Sequence, residues 1–340
     1  LFVLALTLGG VLQSLHTAWS ALGFKGLSHG LAFIASLAVL STLIDLPFSL
    51  YRTFVIEERF GFNKMTPRLF LIDLAKGALI GALIGLPVLL AVLWLMERMG
   101  PYWWIHVWLF WLGFNLLALL IYPTVIAPLF NKFTPLVDAS LRERIESLLA
   151  RCGFRASGFY VMDGSKRSGH GNAYFTGFGR AKRIVFFDTL LEKLAPEEIE
   201  AVLAHELGHY QRRHVWKRIG VLALASLAFL WLLGYLIDAP WFYEGLGMST
   251  PGTAPALALF SLAIPVFTFP LSPLMSALSR RHEYEADAYA AQQTQARDLV
   301  AALVKLYRDN AATLTPDPIY SVFYDSHPPA AARIAQLKAA

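Results

Sequence analysis

The chain has 340 residues, of which 56% are apolar and only 16% are charged, and its mean hydropathy is +0.51. Soluble globular domains carry about a quarter charged residues, so this composition excludes an ordinary soluble domain and predicts an integral membrane protein. The single cysteine, Cys152, excludes an internal disulfide and a cysteine-based metal cluster. The net charge of +5 follows the membrane topology described below, so it does not indicate nucleic-acid binding.

Long apolar segments recur along the chain and predict a bundle of transmembrane helices. They cover residues 1–18, 31–50, 70–95, 103–127, 219–237 and 256–279. Trp103 and Trp104 open the fourth segment, and such aromatic side chains are typical of a membrane–water interface. Because the chain begins with Leu1 inside an apolar run, we expect further natural residues upstream of it.

Basic residues in the short loops predict the orientation of these six segments. The loop 51–69 carries four basic residues, whereas the alternate short loops carry only Lys25 and Arg98. Because basic loops stay on the cytoplasmic side, the long polar stretches on the same side as loop 51–69 are predicted to be cytoplasmic. The predicted parts are four transmembrane segments in 1–127, a cytoplasmic domain over 128–218, two transmembrane segments in 219–279 and a cytoplasmic C-terminal part over 280–340.

The polar stretch 128–218 predicts a small domain of helices and strands. Asp138 or Ser140 could cap a helix that runs to about Arg151. Short strands are predicted at 159–162, 172–178 and 183–187. They fit either a plain hairpin meander or a sheet whose edge strand binds an extended peptide by backbone pairing.

The segment His205-Glu206-Leu207-Gly208-His209 carries the pattern H-E-x-x-H. Residues four apart on a helix lie on one face, so His205 and His209 can both point a ring nitrogen at one Zn²⁺. Glu206 lies beside them and can accept a proton from the attacking water as a general base. Pro196 suits the first position of this helix, and the acidic first turn suits the helix dipole. The motif predicts one catalytic zinc ion per chain.

A third metal ligand is predicted beyond the last apolar segment, because catalytic zinc sites usually have three protein ligands and an open position. Glu283 and Asp287 share a helix face, so one could bind the metal while the other hydrogen-bonds a ligand imidazole. Their spacing does not decide between them. His282 is a weaker candidate, since it lies off that face beside two arginines. His214 lies off the face of the motif and is predicted to be interfacial.

Together these motifs resemble those of the type I CAAX prenyl endopeptidases, which are integral-membrane zinc metallopeptidases of the gluzincin group. The resemblance extends over essentially the whole chain. Further matching segments are 46–54, 57–63, 127–133, 171–177 and 325–329. It implies a mainly α-helical protein, with seven transmembrane helices around a hollow chamber and a small α+β metallopeptidase domain on the cytoplasmic side. One of the seven helices would then precede Leu1.

The resemblance also implies roles for individual residues. It makes His205, His209 and Glu283 the zinc ligands and Glu206 the general base. Asp287 would then support a ligand imidazole through a hydrogen bond.

Three further residues are predicted to contact the substrate or its surroundings. The resemblance implies that His327 stabilises the oxyanion and that Asn172 lines the substrate groove. His327 precedes Pro328 and Pro329, which suit the start of a final helix, so a capping or surface role is the alternative. Arg333, on that helix, could bind a carboxylate, either the substrate's or a structural one.

We therefore expect a zinc-dependent endopeptidase that cleaves peptides at the cytoplasmic face of a lipid bilayer. The resemblance implies removal of a C-terminal tripeptide from prenylated proteins. A composition rich in Ala, Leu and Arg indicates a bacterial member, for which the inner membrane and other membrane-delivered peptides are expected; a eukaryotic member would lie in the endoplasmic reticulum. The alternatives are a heat-shock type quality-control metalloprotease and a transporter with structural zinc, for which Glu206 is unnecessary.

Overall fold

The computed structural model describes residues 1–177 and 182–339. It divides into two compact units, both built mainly from α-helices, as the sequence predicts. Unit 1 comprises Leu1–Arg52, Thr66–Leu116 and Gly220–Pro270, and unit 2 comprises Thr53–Met65, Leu117–Ile219 and Leu271–Ala340. Phe178, the last residue of the second predicted strand, lies outside the described residues.

The helices are numbered in chain order over the described residues. They are α1 (Phe2–Leu6), α2 (Val11–Ala21), α3 (Gly26–Tyr51), α4 (Pro67–Arg98), α5 (Trp103–Ile121), α6 (Ala127–Phe130), α7 (Ala139–Arg151), α8 (Asp188–Lys193), α9 (Pro196–Gln211), α10 (His214–Leu236), α11 (Pro240–Glu244), α12 (Thr253–Thr268), α13 (Ser272–Gln293), α14 (Ala296–Asp309), α15 (Pro318–Tyr324) and α16 (Ala330–Ala339). Helices α3 and α5 each continue into a π-helical turn, at Arg52–Glu57 and Tyr122–Ile126.

Apolar helices long enough to cross a bilayer account for most of the predicted segments. A bilayer core needs about 20 apolar residues in a helix. Within the described residues, the candidate spans are Gly26–Glu57, Pro67–Arg98, Gly100–Phe130, His214–Leu236 and Thr253–Gln293.

The first predicted segment, 1–18, differs from this pattern. It contains α1, with five residues, and part of α2, with 11 residues. The chain turns between them at Gly10, whose φ of 75° lies in the left-handed region that favours glycine. Each helix is shorter than a bilayer requires, so 1–18 is not one spanning helix as predicted.

The core of unit 1 is formed by aliphatic and aromatic side chains from its helices. Phe33, Leu93, Leu233 and Leu259 are fully buried in it. Trp103 belongs to the same core and is only 6% exposed. The Trp103 ring therefore packs against other helices, and its position at a membrane–water interface stays a prediction.

Unit 2 contains a small mixed sheet. Its strands are β1 (Phe133–Pro135), β2 (Gly158–Met162), β3 (Ala173–Thr176) and β4 (Arg183–Phe187). In the described residues the strand order is β1-β2-β4-β3, with β2 and β4 parallel and the other pairs antiparallel. A hairpin meander would pair sequence neighbours antiparallel throughout, so that alternative is wrong. Strand β3 lies at the edge of the sheet, which agrees with the alternative of a sheet whose edge strand could bind an extended peptide.

Side-chain caps define where the helices of unit 2 begin. Asp138 accepts a hydrogen bond from the Leu141 backbone N–H at 3.0 Å, so the first of the two predicted caps begins α7. Pro196 is the first residue of α9. Glu198, in the first turn of α9, accepts a hydrogen bond from the Ala195 N–H at 2.7 Å. These contacts fix the start of the helix that carries the H-E-x-x-H motif.

Helices α9 and α13 approach each other closely at Gly208. A Cβ added to Gly208 would lie 2.9 Å from the Cα of Ala286 and 3.0 Å from its carbonyl oxygen. Real Cβ atoms do not come this close to another backbone, so a glycine is required at this position. The contact brings the motif helix against the helix that carries Glu283 and Asp287.

Candidate metal centre

Helices α9 and α13 bring three metal-binding side chains together. The Nε2 atoms of His205 and His209 are 3.2 Å apart. Glu283 Oε2 lies 3.5 Å from His205 Nε2, and Glu283 Oε1 lies 3.4 Å from His209 Nε2. Among the described residues, this is the one group of His, Cys, Asp or Glu side chains with the arrangement of a metal site.

The carboxylate of Glu283 provides an independent test of whether a metal ion fits. Its Oε2 atom is buried, and none of the described residues makes a hydrogen bond of acceptable geometry to it. His327 Nδ1 lies 2.8 Å from Oε2, but not in hydrogen-bonding geometry. A buried carboxylate oxygen without a donor is costly, and a cation held by the three side chains would satisfy it. The residues present therefore fit a metal ion.

Asp287 lies on the other side of the His205 ring and not among the three donor groups. Its Oδ1 is 2.8 Å from His205 Nδ1. Arg333 donates two hydrogen bonds to the same carboxylate, from Nε at 2.8 Å and from Nη2 at 2.6 Å. The His205 Nδ1 proton is thus directed at Asp287, which leaves Nε2 facing His209 and Glu283. Arg333 binds a structural carboxylate, one of its two predicted partners.

Burial and neighbouring charges change the pKa values in this cluster. Burial alone would lower the pKa of His205, but the contact with Asp287 and the nearby Glu283 carboxylate outweigh it and raise that pKa to about 9. Burial raises the pKa of the Glu206 carboxyl, although the charges of His205 and His209 act in the opposite direction. A carboxylate with a raised pKa is a better proton acceptor, which suits a general base.

Comparisons with known proteins agree with this arrangement. Residues 135–340 match the family described as peptidase family M48, and residues 1–132 match the family described as CAAX prenyl protease N-terminal, five membrane helices. The chain belongs to peptidase family M48. The predicted resemblance to the CAAX prenyl endopeptidases is confirmed by these matches.

Relatives and a solved structure cover almost all of this M48 chain. It is 41% identical over 309 residues to the CAAX prenyl protease 1 homolog of Arabidopsis thaliana, which spans 90% of this chain and 72% of the relative. It is 35% identical to the Homo sapiens CAAX prenyl protease 1 homolog, over 98% of this chain and 80% of the relative. The crystal structure of S. mikatae Ste24p is similar with a TM-score of 0.86 and 38% identity, over 92% of this chain and 77% of that one. The chain is therefore an integral-membrane metallopeptidase that acts on a peptide or protein.

His327 of the M48 chain lies beside the donor groups, in the connection between α15 and α16. Its side chain is 60% exposed, with Nδ1 close to Glu283. Arg280 holds the end of α15 through two hydrogen bonds to backbone carbonyls, and the Tyr307 hydroxyl donates to the Pro328 carbonyl at 3.2 Å. The sequence does not indicate the support from Arg280, because nothing in it distinguishes Arg280 from the basic residues that set the topology.

Asn172 lies at the start of the edge strand β3. Its side chain is exposed, and its Oδ1 accepts a hydrogen bond from the Ala173 N–H at 2.8 Å. Its backbone carbonyl accepts a hydrogen bond from the Phe187 N–H at 2.9 Å. Asn172 thus begins the ladder of β3, and its contact with a substrate stays a prediction.

His214 is only 4% exposed and contacts the motif, so the prediction that it faces away from the motif is wrong, whereas its interfacial position stays a prediction. Its Nδ1 lies 3.0 Å from His209 Nδ1, and its Nε2 lies 3.0 Å from Glu285 Oε2. The prediction assumed a helix continuous through the motif. Instead α9 ends at Gln211, and Arg213 has a φ of 56°. The chain therefore turns before α10 begins, which brings His214 back to the motif.

Replacing Gly208 with Ala is expected to lower both stability and metal affinity. The added Cβ would force α9 and α13 apart, and overpacking of this kind costs about 1–3 kcal/mol. The melting temperature and the metal dissociation constant measure the two effects. Gly220→Ala is the matched control, because its Cβ would meet nothing within 4 Å, and it should change neither quantity appreciably. Equal behaviour of the two variants would contradict the role of Gly208.

Proposed function

We propose that this M48 chain is a zinc endopeptidase in which His205, His209 and Glu283 bind the ion. Tetrahedral coordination with bonds of about 2.0–2.1 Å places donor atoms about 3.3–3.4 Å apart. The Nε2 atoms of His205 and His209 are 3.2 Å apart, and Glu283 lies close to both, with Oε2 3.5 Å from His205 Nε2 and Oε1 3.4 Å from His209 Nε2. This close spacing is the observation that supports the proposal, because His205, His209 and Glu283 would together hold the ion through three protein groups, as catalytic zinc sites do.

The surrounding residues supply the remaining chemistry. Zinc, when bound, acts as a Lewis acid and makes a water molecule acidic enough to lose a proton near neutral pH. Glu206 accepts that proton as the water attacks the peptide carbonyl and then passes it to the leaving amine. His327, exposed beside the ligands, donates a hydrogen bond to the developing oxyanion. Asp287 and Arg333 hold the imidazole of His205 in its binding orientation.

The proposed substrate is the C-terminal segment of a prenylated protein, from which the enzyme removes a tripeptide. This proposal is supported by the relatives, which are CAAX prenyl proteases. It is also supported by the edge position of β3, whose open side can pair with an extended peptide that passes Asn172. The basic loop 51–69 supports a cytoplasmic location for the metallopeptidase domain, at the inner membrane if the source is bacterial.

Matched C-terminal peptides with and without a farnesyl group test this function. We expect the purified protein to contain one zinc ion per chain and to cleave the farnesylated peptide faster than the free peptide. A chelator should abolish cleavage, and added zinc should restore it. Equal rates on both peptides would contradict prenyl recognition, whereas zinc-loaded protein that cleaves neither peptide would contradict the endopeptidase itself.

A further inference from the structure

We infer that His214 and Glu285 position the metal ligand His209 through two successive hydrogen bonds, which we name the His214–Glu285 relay. The inference rests on the proposed zinc site, because it concerns the face of His209 that is turned away from the metal. His209 directs Nε2 at His205 and Glu283, and its opposite ring nitrogen, Nδ1, is 3.0 Å from His214 Nδ1.

The binding of a metal by His209 Nε2 would determine which ring nitrogens of the two histidines carry protons. A neutral imidazole that binds a metal through Nε2 carries its proton on Nδ1. His209 Nδ1 therefore donates to His214 Nδ1, which must be the acceptor. The proton of His214 is then on Nε2, from which it donates to Glu285 Oε2 at 3.0 Å. Each group in the relay has one compatible protonation state, so the carboxylate of Glu285 fixes the tautomer of both histidines.

The neighbours of the relay hold it in this orientation. Arg281 Nε donates to the second oxygen of Glu285, Oε1, at 3.0 Å. The ring of His282 stacks on His214, with centroids 4.0 Å apart and planes 13° from parallel. Because His214 is also buried, its ring has little freedom to rotate away from His209.

The relay gives His209 the kind of support that Asp287 gives His205. Asp287 contacts His205 directly and is held by Arg333, whereas Glu285 contacts His209 through His214 and is held by Arg281. Each ligand imidazole thus donates its second N–H toward a carboxylate that is paired with an arginine. Outer partners of this kind typically contribute about 10–100-fold to metal affinity. His214 is therefore a positioning residue.

The test compares metal binding by the full chain in detergent, using Zn²⁺ in chelator competition and Co²⁺ for its visible absorption bands. His214→Phe keeps the size of a planar ring but removes the acceptor for His209 Nδ1. We expect it to weaken metal binding about 10–100-fold and to shift the Co²⁺ bands. His214→Asn restores an acceptor oxygen near the position of Nδ1 and should recover most of the affinity. His282→Phe is the matched control, because it keeps the stacked ring outside the relay.

The outcomes separate the relay from the metal site itself. Unchanged Zn²⁺ affinity and unchanged Co²⁺ bands in a folded His214→Phe protein would overturn the relay while leaving the zinc site intact. A wild-type chain that binds neither ion would overturn the proposed function and the relay with it. If His214→Phe does not fold, Glu285→Gln tests the relay instead. The amide oxygen can still accept a hydrogen bond from His214, but the negative charge of Glu285 is removed. Glu285→Gln should weaken Zn²⁺ binding less than removal of a metal ligand does, and more than His282→Phe does.

Discussion

Glu206→Gln is expected to abolish peptide cleavage while zinc remains bound at one ion per chain. The amide has nearly the shape of the carboxylate but cannot accept a proton. The substitution should therefore slow the step in which water attacks the peptide carbonyl. General bases contribute about 10²–10⁴-fold to catalysis, and we expect kcat to fall by that amount with little change in KM. Metal content and cleavage kinetics of the same preparation provide the measurement.

A control on the same helix shows whether the effect is specific to Glu206. Glu197→Gln also removes a carboxylate from α9, but Glu197 is exposed and forms a surface ion pair with Arg144. It should retain nearly full activity, since surface pairs contribute little to stability. Retained cleavage by Glu206→Gln, or zinc lost from a folded protein, would contradict the role of Glu206 as the base.

Glu283→Ala is expected to remove both zinc and activity from a chain that still folds. The substitution deletes one of the three donor groups, and it leaves His205 and His209 with the geometry of an incomplete site. The loss of affinity should exceed the roughly 10–100-fold that an outer partner contributes. Zinc content after dialysis against a chelator, together with the melting curve, measures the effect.

Asp287→Asn provides the graded comparison for this prediction. Asn can still accept the hydrogen bond from His205 Nδ1, but it lacks the negative charge that pairs with Arg333. We expect it to weaken zinc binding within the 10–100-fold range, and therefore less than Glu283→Ala. If Asp287→Asn loses zinc and Glu283→Ala retains it, the assignment of ligand and supporting carboxylate is reversed.

Features with a local physical origin were predictable from the residues. The spacing of His205 and His209 requires only one helical turn, and the structure places both ring nitrogens on one face of α9. The parallel pairing of β2 and β4 was less predictable, because strand patterns do not specify the partner of a strand. The break in the first apolar segment was missed because glycine at Gly10 is also tolerated within apolar helices.

The sequence by itself determined the membrane character, the helix with H-E-x-x-H and the two carboxylates that could complete it, because composition and helical periodicity are local properties. Only the tertiary structure placed Glu283 at the metal position and Asp287 behind His205, since the rotation of α13 against α9 at Gly208 selects which carboxylate faces the motif. The turn after α9 likewise buried His214 against His209. These outcomes depend on how two helices pack and where the chain turns, and the spacing of residues along the sequence does not determine either of them.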